Sequence, residues 1–249
     1  MQEKNAGSGS IKTKKFDELI KKMATCNKCC SLSSKTKDCS LINIYQDIEF
    51  AKTIPSIWTD WYNRLDSKII IIGQDWGPYE DMKKLNMEYQ KDKTFTNWSR
   101  LIESEKSLTK KQLTKFIIES SDMKVTDLNG FFITNAIMCA RKGTSYRSDN
   151  INLKKSTSMC LPFLAEQISI VKPKIILTLG YYPLLALSQI FNFKIAKNLK
   201  ASITENPIIQ ADNYLIIPLY HPVAQIKKEE QLQQYKTIWK NLQEGERNE

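Results

Sequence analysis

The sequence predicts a single α/β domain of three layers, helix, sheet and helix, around a central, mainly parallel four-stranded sheet. Two observations predict it. The first is a set of four short apolar runs, each followed by glycine or a polar residue: KIIIIG ending at Gly73, GFFITNA around Asn135, KIILTLG ending at Gly180, and YLIIPLY just before His221. Runs that stay apolar instead of alternating are what parallel strands covered on both faces require. The second is helical periodicity between the runs. SLTKKQLTKFIIESS precedes the second run. A stretch from about Ser156 to Val171 precedes the third, with Leu161, Leu164, Ile168 and Val171 on one face. A final helix carries Leu232, Tyr235, Trp239 and Leu242 as its stripe. Strands alternating with helices give a doubly wound sheet.

The remaining segments frame that domain. Residues 1–14 are polar and read as a disordered leader, residues 15–245 as the domain with an N-terminal cysteine-cluster segment, and 246–249 as a tail. FDELIKKMATC reads as a short helix running into the cysteines, and AKTIPSIWTDWYNRLDS as irregular and aromatic-rich. No apolar run is long enough to span a bilayer, and the N-terminus lacks the apolar stretch of a signal peptide. A cytoplasmic protein without membrane contact is expected. It is expected to be a monomer, since no assembly helix is evident. The 37 basic residues exceed the 27 acidic ones and leave a net charge of +10. That excess suits a polyanion such as nucleic acid, or simply a well-solvated lysine-rich surface.

In an open parallel sheet the carboxyl ends of the strands meet at one crevice. Here those ends carry Gln74 and Asp75, then Asn135, then Gly180, then His221, the only histidine of the chain. Gly180 permits close backbone approach but offers no functional group. A carboxylate can activate water, an imidazole can stabilise a developing anion, and an amide can read a donor–acceptor edge. No nucleophile–base pair is present in the set. Water attack on an electron-poor carbon with an anionic leaving group fits better, and glycosidic bond hydrolysis has that form. Each residue also has a plain structural reading: Asp75 as a helix cap, Asn135 as a turn residue, His221 as a packed imidazole.

Six cysteines stand at 26, 29, 30, 39, 139 and 160, four of them in the short segment CNKCCSLSSKTKDC. Clustered thiols in an intracellular chain point to a metal or cluster site rather than to disulfides.

Four stretches carry a resemblance. GQDWG, TNAIMC, CLPFLAEQISIVKPKIILTLG and YHPVA, in this order, resemble motifs of the uracil-DNA glycosylase superfamily, most closely its iron–sulfur branch, over roughly residues 20 to 245. The resemblance implies a DNA glycosylase acting on a flipped-out base in DNA. Asp75 would activate water and His221 would stabilise the leaving pyrimidine. Gln74, Gly77, Asn135 and Phe95 (in KTFTNW) would surround the base. Arg141, Lys142 and Arg147 would contact phosphates, and Ile226 beside Lys227 and Lys228 would act as a wedge. Cys26, Cys29, Cys139 and Cys160 would hold a [4Fe–4S] cluster, with Cys30 and Cys39 as rivals upstream and zinc as the alternative metal. No nucleotide cofactor is expected. Uracil is the default substrate. A bulky C5-modified pyrimidine of the kind found in phage DNA is the alternative, admitted beside Gly77 in antiviral defence. A non-catalytic iron–sulfur nucleic-acid-binding module is the reading from another class.

Overall fold

The structure, a computed structural model, describes residues 6–29, 41–46, 61–91, 108–142 and 152–247. Phe95, Arg147, Cys30 and Cys39 lie outside the described residues.

The isoleucine run forms strand β2 (Ile69–Gly73), after a two-residue strand β1 (Leu41–Ile42). β3 (Phe132–Asn135), β5 (Ile175–Leu179) and β7 (Tyr214–Leu219) are the other three expected strands. The other three, β1 included, were not anticipated. β4 (Ala140–Arg141) pairs antiparallel with β1, and β6 (Ile209–Ala211) pairs antiparallel with β7. The main sheet therefore has five strands in the order β3-β2-β5-β7-β6, the first four mutually parallel. β6 is only three residues long and joins β7 through Asp212, whose backbone is left-handed at φ 49°. So short an edge strand leaves no periodic signal.

The three layers follow from the pleat. Successive side chains of a strand point to opposite faces, so Ile70 and Ile72 enter one core and Ile69 and Ile71 the other. The first core is covered by α1 (Ala6–Ala24), α4 (Leu153–Val171) and α5 (Tyr181–Ile190), through residues such as Phe16, Leu164 and Leu187. The second is covered by α3 (Leu108–Ser120) and α7 (Lys228–Arg247), through Phe116 and Tyr235, whose rings stack at 5.1 Å. Helices α2 (Tyr79–Lys91) and α6 (Leu199–Glu205) complete the set among the described residues. Ile70, Ile71 and Ile72 are fully buried, each contributing roughly 1.5–3 kcal/mol.

Helix ends follow local chemistry. The Asn152 side chain accepts from Lys155 N at 3.0 Å and starts α4, three residues before the expected Ser156. Lys172, left-handed at φ 55°, ends it before Pro173. The leader is a correction: α1 begins at Ala6, so much of the stretch expected to be disordered is helical. Tertiary contacts overcome its two glycines. Lys12 Nζ donates to Leu65 O at 2.9 Å and Val171 O at 3.2 Å and pairs with Asp66, while Phe16 and Leu19 are fully buried one turn and more later. Behind β3 lies Trp61, which stacks on Phe132 at 5.7 Å and donates from Nε1 to Ile133 O at 2.7 Å.

Candidate active site and cysteine pocket

The carboxyl ends of β2 and β3 continue side by side past the regular ladder. Ala136 N donates to Gly73 O, Ile137 N to Gln74 O, and Arg141 N to Gly77 O, at 2.8–2.9 Å. This run of bonds fixes the loop that carries Asp75. Its side chain is only 3 % exposed and has three donors: Gly77 N and Arg141 Nε on Oδ1, at 2.8 and 3.0 Å, and Gln74 Nε2 on Oδ2 at 2.8 Å. A carboxylate oxygen accepts about two hydrogen bonds, so Oδ1 is filled and Oδ2 keeps room for one more donor, such as water. Burial of a charge is costly unless it is paired, and Arg141 is the partner.

Asn135 is set against the same loop. One amide orientation satisfies its surroundings, with Nδ2 donating to the carbonyls of Asp75 and Thr134, at 3.3 Å each. Gly73 makes room for it: a Cβ there would lie 2.5 Å from the Asn135 amide. Gly77 is required by its backbone and not by crowding. Its φ of 83° strains any other residue, and a Cβ there would meet nothing within 4 Å. Trp76 turns inward instead, 5 % exposed, and donates from Nε1 to the Tyr45 hydroxyl at 3.2 Å.

His221 leaves β7 two strands away from Asp75, with β5 between them. Its turn is braced by α7. Ala224 N donates to His221 O at 2.8 Å, and Gln231 Nε2 reaches Ala224 O and Ile226 O at 3.3 and 3.5 Å. Burial holds the imidazole below its ordinary pKa of 6.5, and the negative charge of Asp75 pulls the other way. The balance favours the neutral imidazole.

The model of the Uracil DNA glycosylase superfamily matches residues 59–243, well over half of the chain. The chain belongs to the uracil-DNA glycosylase superfamily. Membership brings with it a three-layer α/β/α fold, DNA as the partner and base removal by a DNA glycosylase as the general chemistry. A search of the curated proteins finds no match. Asp75, Asn135 and His221 all lie in the matched range, as do Cys139 and Cys160. Cys26 and Cys29 precede it.

Of the residues expected in this superfamily site, Gln74, Asp75, Gly77, Asn135 and His221 are carried to the carboxyl edge of the sheet. Arg141 is placed otherwise than expected. The sequence suggests a phosphate contact, yet Arg141 is 9 % exposed and its Nε donates to Asp75. Its chain position beside a basic loop gave no hint of this, because β4 and the bond to Gly77 turn it inward. Lys142 and Lys227 are exposed, Ile226 is half-buried, and Lys228 is exposed but pairs with Glu119 at 3.1 Å. Arg141→Gln is expected to lower kcat roughly 10- to 100-fold, the loss of one charge-assisted bond, with DNA affinity within about threefold. Steady-state kinetics and a salt titration of binding check this. Weaker binding with a shallower salt dependence and an intact kcat would return Arg141 to the phosphate role.

The four cysteines of the expected cluster line one pocket with Met23, Tyr45 and Phe163. They arrive from three places: the end of α1 (Cys26, Cys29), the loop after β3 (Cys139) and α4 (Cys160). Asn43 ties the first of these down, donating to Met23 O and Cys26 O at 2.8 Å each. Cys29, Cys139 and Cys160 are buried. Hydrogen bonds from Cys139 and Cys160 hold the Cys29 thiol well below its ordinary pKa. Their hydrogen bonds to Cys29, and then burial and its charge, push the other two thiols upward. Among the described residues, no group of three or more His, Cys, Asp or Glu side chains is set to hold a metal ion as it stands. The donor chemistry of four thiols around an apolar pocket suits a thiophilic group.

Proposed function

We propose that the protein hydrolyses the N-glycosidic bond of an extruded pyrimidine nucleotide in DNA, with uracil as the default base, and leaves an abasic site. One observation carries this reading: in a chain of this superfamily, a buried carboxylate with one open acceptor position and the chain's one imidazole follow β2 and β7, at the carboxyl edge of one parallel sheet. Asp75 Oδ2 orients the attacking water and its charge favours the oxocarbenium-like sugar. His221 donates a hydrogen bond to the pyrimidine oxygen that gains charge as the bond to the sugar breaks. The electron pair of that bond leaves with the base, and the water proton is released to Asp75 or solvent. Asn135 supports uracil in particular. With both Nδ2 protons given to main-chain carbonyls, it can offer a base only its oxygen, an acceptor. Uracil carries a donor at N3, where cytosine carries a lone pair.

The open space at Gly77 favours a second substrate, a pyrimidine enlarged at C5. The positive φ gives that glycine a conformational reason of its own, so uracil stands first. Cys26, Cys29, Cys139 and Cys160 would hold a [4Fe–4S] cluster, which when bound would tie α1 and α4 to the loop leading to Arg141.

Oligonucleotides carrying uracil, thymine, cytosine or a bulky 5-substituted cytosine, each checked for alkali-labile abasic sites, test the reading. Release of uracil is the expected result. Release of the modified base alone would shift the substrate to foreign DNA. DNA binding with silence on every base would leave the non-catalytic module. Iron and sulfide analysis of anaerobically purified protein tests the cluster, and stoichiometric zinc without iron would remove it.

A further inference from the structure

β5 lies between the strands that deliver Asp75 and His221, so whatever follows it enters the middle of the crevice edge. The residues that follow are Gly180, at φ 101° with its N–H on Leu219 O at 2.9 Å, and then Tyr181 and Tyr182 at the start of α5. The strand end that looked chemically empty therefore presents two aromatic rings. They meet edge to face, with centroids 5.9 Å apart and planes at 80°.

These tyrosines differ from the others that are half-buried. Tyr62, Tyr79 and Tyr214 pack against the first core, and the Tyr62 hydroxyl donates to Asp17 at 2.8 Å. Tyr181 and Tyr182 are half-buried yet pack against neither core, and among the described residues their hydroxyls make no hydrogen bond. A large ring held at the surface without core packing or a polar partner is the composition of a contact surface, since tyrosine offers area at little entropic cost. Two rings locked edge to face leave one flat face open to a planar ligand.

We propose that Tyr181 and Tyr182 form a stacking site for the nucleobase next to the extruded nucleotide. This rests on the glycosylase reading above and deepens it. A nucleobase is the planar group that DNA brings to this edge when one nucleotide is bound at Asp75 and His221. Stacking uses the π-face, which every base has, so the site reads no sequence. It does require that face to be free, which favours single-stranded or locally unpaired DNA.

The test uses single-stranded oligonucleotides with one uracil and 2-aminopurine or an abasic spacer on each side of it in turn. Wild-type protein is expected to change the 2-aminopurine emission on one side. A spacer on that side is expected to weaken its binding roughly 5- to 100-fold, the range for one stacked base. Tyr181→Ala/Tyr182→Ala is expected to bind that much more weakly and to be indifferent to the spacer, with an unchanged melting temperature. Tyr181→Phe/Tyr182→Phe, which keeps the rings, is expected to match wild type. An alanine variant as tight and as spacer-sensitive as wild type would overturn the stacking site, as would a phenylalanine variant as weak as alanine. Absence of base release, with the emission change and spacer effect intact, would count against the glycosylase reading alone.

Discussion

Asp75→Asn is expected to reduce base release roughly 10²- to 10⁴-fold, the span for loss of a positioned proton acceptor, while DNA affinity stays within about threefold. The substitution is nearly isosteric and the fold should tolerate it. An asparagine Oδ1 still accepts from Gly77 N and Arg141 Nε, the two bonds now made at 2.8 and 3.0 Å. On the other side the new Nδ2 faces Gln74, whose amide can rotate to present its oxygen. What disappears is the charge and the acceptor that Oδ2 offers to water. The loss should therefore fall on kcat and leave KM little changed. Single-turnover release of uracil, with binding measured separately, reads the two apart. A variant that keeps half of the wild-type rate would show that Asp75 is held by Arg141 and Gln74 for structure, not for chemistry.

That prediction shows where sequence reading succeeds and where it stops. Asp75, Asn135 and His221 could be found because a parallel sheet converts chain position into spatial position: a polar residue after a buried run must emerge at the carboxyl edge. The same logic recovered four of the five main strands. It failed where position is decided by tertiary contact. Ala6 to Lys14 looks too polar for an ordered helix, and only the carbonyls of Leu65 and Val171, far off in the chain, explain why Lys12 is anchored. Arg141 looked like one more charge in a basic loop, until β4 pairing turned it toward a carboxylate 66 positions earlier. Tyr181 and Tyr182 were legible in principle. They directly follow the third apolar run and Gly180.

His221 permits the most direct check of the site, because a chain with one histidine gives one imidazole titration without assignment. Two forces act on it and their signs differ. Burial disfavours the charged ring and lowers its pKa, and the Asp75 carboxylate favours the charge and raises it, with burial the larger. The NMR midpoint is therefore expected below 6.5, and Asp75→Asn should lower it further by removing the opposing charge. An unmoved midpoint in that variant would mean that the two side chains do not share a crevice. His221→Ala is then expected to lower the rate roughly 10²- to 10³-fold, as for loss of one donor to a developing anion. Because the neutral ring is the donor, the wild-type rate should lose its dependence on His221 protonation well above that NMR midpoint. A leaving group that is already a good anion needs less from that donor. A 5-fluorouracil target, whose ring nitrogen is more acidic, should lose less than uracil does in His221→Ala. Equal losses on both bases would place His221 in binding instead of in departure of the base.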